Sequence, residues 1–246
     1  MEQGLQKYGA VLPVPSRLFR KGPAMTTSTQ PIAEQVAALN AVVAERLPAD
    51  VLADFGEEQA ALDAAGVPSG AARPGAAMPD GDLLDLHGAP TTLAAARGDA
   101  PSVVVLYRGA WCPFCNIALR TYQADLVPAL ADRGVRLIAV SPQRPDGSLT
   151  AQQSNELTFT VLSDPGNQLA GGLGVLTRGT DAVREAQARI GLDVAAGNAD
   201  GTPELPMPTT VLVDADGTIR WIDVHPNYTT RTEPQRIIHA IDSLLD

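Results

Sequence analysis

The sequence predicts an α/β protein in which a sheet is layered with helices, preceded by a helical extension. Three observations carry this. From about residue 83 short apolar runs alternate with helix-like segments. Thr209 to Val213 and Ile219 to Val224 flank Asp214-Ala215-Asp216-Gly217, a hairpin signal. Val103-Val104-Val105-Leu106, of buried-strand type, leads within a few residues to Cys112-Pro113-Phe114-Cys115 and a long helical stretch.

Each element follows from its local pattern. Ile32, Val36, Leu39, Val43 and Leu47 share one face of a helix, and Pro48 breaks it. Ala49 to Ala65 is a second helix, with Val51, Leu52, Phe55 and Leu62 on its apolar side. Residues 67–82 are rich in Gly, Pro and Ala and read as a linker. Leu83 to Leu86 is a short strand and Leu93 to Arg97 a helical turn. After the Val103 to Tyr107 strand comes a helix over Asn116 to Leu130, then a strand over Val135 to Val140. Leu149 to Glu156 is helical. Phe159 to Leu162 is a strand closed by Ser163-Asp164-Pro165-Gly166. Asn167 to Leu173 and Ala182 to Ile190 are helical, and Ala195 to Pro206 is a polar loop. Glu233 to Leu245 closes the chain as an amphipathic helix with Pro234 near its start.

This divides the chain into a tail at 1–29, a helical extension at 30–66, the linker at 67–82 and a main domain at 83–246. The tail has scattered Gly, Pro, Ser and Thr without period and is expected to be disordered. Met25 before Thr-Thr-Ser-Thr is the expected translation start, with the upstream residues an extension. The two-helix unit can cap the main domain or mediate dimerisation, which leaves a homodimer open.

Composition narrows the function. A net charge of −10 argues against general nucleic-acid binding. No apolar run reaches the ~20 residues a transmembrane helix needs, and the N-terminal basic residues precede no apolar signal region. The chain has only two cysteines, and both lie in the Cys-x-x-Cys. That usage points to a reducing compartment, the cytoplasm, and to a disulfide that cycles. A structural crosslink closing so small a loop constrains little.

A Cys-x-x-Cys between strand and helix suits thiol–disulfide chemistry. A free thiol has a pKa of ~8.5. The first helical turn offers unpaired N–H groups and the positive end of the helix dipole, which favour a thiolate. Cys112 falls at the helix edge and Cys115 one turn further in, and i, i+3 side chains share a face. Pro113 fits the first helical position, where its missing N–H costs little. Arg108 can add positive charge. Trp111 and Phe114 either pack in the core or form an apolar rim for substrate. Met207-Pro208-Thr209-Thr210 enters the hairpin, and a proline there is an ordinary strand-entry residue.

Strand, Cys-x-x-Cys, helix and then a proline before an antiparallel pair together resemble the thioredoxin-like fold, with its central mixed sheet. Tyr107-Arg108-Gly109-Ala110-Trp111-Cys112-Pro113-Phe114-Cys115-Asn116, Ser141-Pro142-Gln143, Leu162-Ser163-Asp164-Pro165-Gly166-Asn167 and Pro206-Met207-Pro208-Thr209-Thr210 look more specifically like the peroxiredoxin-like branch of the alkyl hydroperoxide reductase and thiol-specific antioxidant (AhpC/TSA) family. The resemblance covers residues ~30–246. It implies reduction of hydrogen peroxide or organic hydroperoxides, with recharging by thioredoxin or another dithiol and no cofactor. It also implies a cis Met207–Pro208 bond beside the sulfurs.

The chain departs from the family pattern. The peroxidatic cysteine of typical members aligns with Cys115, their threonine with Cys112, their proline with Arg108 and their active-site arginine with Pro208. By that alignment groups that polarise peroxide are missing, and Arg108 is the candidate substitute. Cys112 and Pro208 are what a thioredoxin-like disulfide oxidoreductase carries, which is the alternative function. In that reading the more exposed Cys112 attacks; in the peroxidase reading Cys115 does. A zinc site needs four ligands, and His87, His225 and His239 have no paired ligand spacing, so no metal is expected. His225 reads as a strand-end residue, Asp125 as part of a solvated helix face, and Asp214 and Asp216 as turn formers.

Overall fold

A computed structural model describes residues 30–244. The expected tail at 1–29 and the last residue of the closing helix, Leu245, lie outside the described residues.

Two helices come first, α1 (Ile32–Arg46) and α2 (Ala49–Ala65). Strands β1 (Asp82–Leu84) and β2 (Pro90–Thr92) form a small hairpin, followed by α3 (Leu93–Arg97). Strand β3 (Ser102–Leu106) leads to α4 (Pro113–Thr121) and α5 (Val127–Ala131), with a π-helical turn at Tyr122–Leu126 between them. Then come β4 (Arg136–Ser141), α6 (Pro145–Ser154), β5 (Thr160–Ser163), α7 (Gln168–Gly172), β6 (Leu176–Arg178), α8 (Asp181–Arg189) and α9 (Val194–Gly197). Strands β7 (Glu204–Pro206), β8 (Thr209–Val213) and β9 (Ile219–Val224) precede the closing helix α10 (Pro234–Leu244).

The main sheet has seven strands in the order β2-β1-β5-β4-β3-β8-β9. Strands β3, β4 and β5 are parallel, while β8 runs antiparallel to β3, opposite which it pairs Leu106 with Thr209. It is the mixed sheet expected. Both faces of β3 are covered, so every residue of it is buried. Side chains alternate between faces along a strand. Val103, Val105 and Tyr107 join the core beneath α1, α4 and α10, and Val104 and Leu106 join the core on the opposite face.

The expected helix over Asn116 to Leu130 begins earlier, at Pro113, and contains the π-helical turn. Pro128 explains the interruption: it has no N–H to donate, and its ring crowds the carbonyl four residues back. The expected polar loop over Ala195 to Pro206 contains α9 and β7 instead. Strand β7 pairs with β6 outside the main sheet, a match decided by the partner rather than by the local pattern. The linker lies along the hairpin: Met78 N–H donates to Gly217 O at 2.8 Å, and Ile219 N–H to Ala76 O at 2.8 Å.

Candidate active site

Strand β3 ends at Leu106, and the next residues cross the C-terminal edge of the sheet into α4. The loop is held on both sides of Ala110. Its N–H donates to Gln143 Oε1, and its carbonyl accepts from Asn116 Nδ2 at 2.7 Å. Asn116 is steadied in turn by Asn155 Nδ2 at 3.0 Å. The Ser-Pro-Gln and Cys-Asn portions of the motif are therefore loop clamps. Gly109 has φ +149°, and a Cβ there would lie 2.6 Å from Trp111 Nε1 and 2.9 Å from Gln143 Cδ. Only glycine allows that approach.

Cys112 is the N-cap of α4, Pro113 follows at the first helical position, and Cys115 lies in the first turn. Both thiols are free and belong to the buried core, with 1% exposure for Cys112 and 0% for Cys115. Cys112 is thus not the exposed cysteine expected: it belongs to the core cluster that includes Tyr107, Ile117 and Leu119, against which Trp111 packs. Trp111 and Phe114 are half-buried against the same core.

The cation missing from the aligned position comes from elsewhere. Arg231, in the segment between β9 and α10, is buried and places Nη2 2.8 Å from Cys115 Sγ and 3.7 Å from Cys112 Sγ. Its Nη1 donates to the Tyr228 carbonyl at 2.7 Å and to the Thr230 carbonyl. No carboxylate among the described residues forms an ion pair with it. A buried cation needs an anion or full hydrogen bonding, and the nearest anion available is the Cys115 sulfur.

Burial on its own raises both thiols. At Cys112 that effect prevails, reinforced by the neighbouring Cys115, and the group stays a thiol. At Cys115 burial is outweighed by the hydrogen bond from Cys112, the Arg231 charge and the backbone N–H of Arg108, so its pKa falls well below the ordinary range. The direction at the pair is a protonated Cys112 beside an ionised Cys115.

A network behind Arg231 fixes its segment. Tyr122, at the start of the π-helical turn, donates its hydroxyl to the Thr232 carbonyl at 2.7 Å. Thr232 Oγ1 donates to Asp223 Oδ2 at 2.8 Å, and His225 lies between Asp223 (3.1 Å) and Thr230 (2.8 Å). Burial would raise the Asp223 pKa, but His225, Thr232 and Arg236 hold it below its ordinary value. His225 sits just past β9, as expected. The sequence reading missed Arg231 altogether. Its only trace was one arginine in an otherwise uncharged run, Pro226 to Thr232, between strand and helix.

Arg108 is not the cation that touches Cys115, although its charge is felt at Cys112. Its guanidinium lies 4.2 Å from the Tyr228 ring centre and 5.0 Å from that of Trp111, a stacking site. Its contact with Cys115 is through its backbone. The expected cis Met207–Pro208 bond is also overturned: no cis peptide occurs among the described residues. The chain here continues extended from β7 into β8, with Met207 N–H donating to Val175 O at 2.8 Å and Pro208 O accepting from His225 N–H at 2.9 Å. Thr209 Oγ1 donates to the Met207 carbonyl at 2.9 Å. Met207 and Pro208 line a crevice that ends on Arg108 and Tyr228.

A thioredoxin-like sheet with a paired thiol at the head of α4 defines a thiol-redox class of protein. The AhpC/TSA family profile matches residues 74–222, and the chain belongs to that family. Among solved structures the chain is similar to the peroxidoxin BcpB of Mycobacterium tuberculosis, with 18% identity and TM-score 0.53 over 70% of this chain and 97% of that one. It is similar to Prx3 of Vibrio vulnificus, solved reduced and in complex with hydrogen peroxide, with 16% identity, TM-score 0.55 and 69% and 99% coverage. A third is the yeast mitochondrial 1-Cys peroxiredoxin, described for thiol resolution via glutathione/thioredoxin systems, with 14% identity, TM-score 0.51 and 70% and 75% coverage. At these identities the likeness establishes the fold. No curated protein matches the chain.

Proposed function

We propose that the protein is a thiol peroxidase in which Cys115 attacks hydroperoxide and Cys112 resolves the product. The observation that carries this is Arg231 Nη2 at 2.8 Å from Cys115 Sγ. A peroxidase needs a thiolate and a positive donor where charge develops on the departing oxygen, and both are held in one buried site.

The Cys115 thiolate attacks the terminal oxygen of ROOH. The S–O bond forms as the O–O bond breaks, and the departing RO⁻ takes a proton to leave as ROH. Arg231 stabilises the charge on the oxygens during transfer. Cys112 then loses its proton, and its sulfur attacks the Cys115 sulfenic acid, releasing water and forming a Cys112–Cys115 disulfide. The pair has given two electrons to one peroxide. An external dithiol returns them by exchange. Thioredoxin or a similar small dithiol is the proposed donor, in a reducing compartment such as the cytoplasm; the systems named for the yeast relative support that class of donor.

The charge on Cys115 rather than on Cys112 weighs against a protein disulfide oxidoreductase, in which the thiol at the helix N-cap is the one that attacks. The test is the pair of single-cysteine variants. Cys112→Ser is expected to consume one peroxide per chain and to leave a sulfenate on Cys115 that dimedone captures. Cys115→Ser is expected not to react. Mixed disulfides trapped on Cys112 in Cys115→Ser, with no peroxide consumption by Cys112→Ser, would overturn the assignment.

A further inference from the structure

The crevice lined by Met207 and Pro208 reaches Arg108 and Tyr228, at the edge of the thiol site. Arg108 and Tyr228, stacked on each other, line its inner side, and both lie within electrostatic reach of Cys112. Its outer wall is α2, through Glu58 and Leu62. That helix lies outside residues 74–222, so this wall is no part of the family-matched domain.

Helix α2 is fastened across the opening. Glu58 is buried, and its Oε1 accepts from Thr180 N–H at 2.8 Å, at the head of α8. Asp63 Oδ2 accepts from Asn227 Nδ2 at 3.0 Å, one residue before Tyr228. Leu62 packs against the core cluster that contains Met207. The space left has a volume of about 20 Å³, enough for one water-sized molecule. Hydrogen peroxide is of that size, whereas a cumyl or tert-butyl group is several times larger.

Resting on the peroxidase reading, we infer that α2 is a size filter: Leu62 and Glu58 narrow the approach to the thiols so that hydrogen peroxide passes and bulky organic hydroperoxides are excluded. Leu62 is the specificity-determining side chain and Glu58 the positioning residue that keeps α2 closed. Filling or emptying an apolar pocket by a few carbons changes discrimination by roughly 10- to 200-fold.

The experiment compares second-order oxidation rates with hydrogen peroxide and cumene hydroperoxide in the full chain, in Leu62→Ala and in Leu62→Phe. The cumene-to-hydrogen-peroxide ratio is expected to be low in the unsubstituted protein, to rise about tenfold in Leu62→Ala and to fall further in Leu62→Phe. A second readout does not need peroxidase activity: the ratio of alkylation rates of the thiols by a bulky maleimide and by iodoacetamide. It should rise in Leu62→Ala and in Glu58→Gln, each checked by circular dichroism for a native fold. Ratios that stay constant across folded variants would overturn the filter. So would cumene hydroperoxide reacting with the unsubstituted protein as fast as hydrogen peroxide. No reaction with any peroxide would instead remove the peroxidase reading and leave the alkylation ratios to decide the filter.

Discussion

Residues 74–222, the part matched to the family, and the segments that flank them contribute different halves of the site. The matched part holds the sheet, Cys112, Cys115 and the Ala110 clamp of Gln143 and Asn116. The flanks hold Arg231, the Tyr228 ring and both helices of the extension. The matched part buries two thiols in apolar surroundings, which raises their pKa values, and sets the Cys112 hydrogen bond and the Arg108 N–H against that rise at Cys115. One flank adds the Arg231 charge to the groups that lower Cys115, and the other closes over the opening. The nucleophile is thus a property of the matched domain, and its activation is shared between that domain and the Arg231 segment that follows it.

The sharpest way to break this comparison is to remove the flanking charge. Arg231→Gln should lower the rate with hydrogen peroxide by about 10²- to 10³-fold, as loss of one preorganised donor does elsewhere. Arg231→Lys should recover only part of it, because a lysine lacks the fork that spans the sulfur and two carbonyls. The pH dependence carries the sign. With Cys115 held below the ordinary thiol range, the rate of the unsubstituted protein should be flat through neutrality. It should fall only as acid protonates Cys115. In Arg231→Gln the thiol titrates at a higher pH, so the rate should climb from neutral into alkaline solution. Iodoacetamide alkylation against pH reads both. Identical profiles would place the activation within the matched domain.

These two halves were not equally legible in the sequence. Val103 to Leu106 and the amphipathic face of α10 declare themselves through neighbours two to four residues away, and the thiol pair through its i, i+3 spacing. Strands β2 and β7 are three residues long with a proline at one end, so only their pairing partners make them strands. Arg231 reaches Cys115 across 116 positions of sequence, a contact no local pattern encodes. Alignment sought the cation at Pro208 because relatives carry it before the hairpin, whereas here it arrives after β9. The same analogy suggested a cis bond at Pro208, but the bond is trans, with Met207 N–H donating to the Val175 carbonyl and the Pro208 carbonyl accepting from His225 N–H.

A smaller effect tests whether Arg231 depends on its own segment. Asp223 is a buried-side carboxylate that gathers Thr232, His225 and Arg236. Asp223→Asn removes the charge at almost constant shape. A hydrogen bond to a charged group is worth ~1.5–3 kcal/mol, and only part of that is felt at Arg231. A fall of about five- to tenfold in rate is therefore expected. The alkylation profile should lie between those of the unsubstituted protein and Arg231→Gln. A lower melting temperature with an unchanged profile would make Asp223 a stabilising residue with no positioning role.

The smallest expected effect joins the two flanks to each other. Glu233 follows Thr232 and sends its carboxylate to the head of α1, accepting from Ile32 N–H at 3.0 Å and Ala33 N–H at 2.9 Å. Helix α1 has no capping side chain of its own, since Pro31 stands at its N-cap. Glu233 therefore caps a helix some 200 positions away and ties the extension to the Arg231 segment. Losing a cap of this kind costs about 1 kcal/mol, and in a chain of this size that lowers the melting temperature by roughly 2–4 °C. Glu233→Ala should show that shift, together with faster hydrogen exchange in α1, and little change in the peroxide rate. The contact is partly exposed and touches neither sulfur, so its effect should stay in stability. A rate loss as large as that of Asp223→Asn would mean that α1 helps to hold Arg231 in place, and the two flanks would then have to be treated as one activating unit.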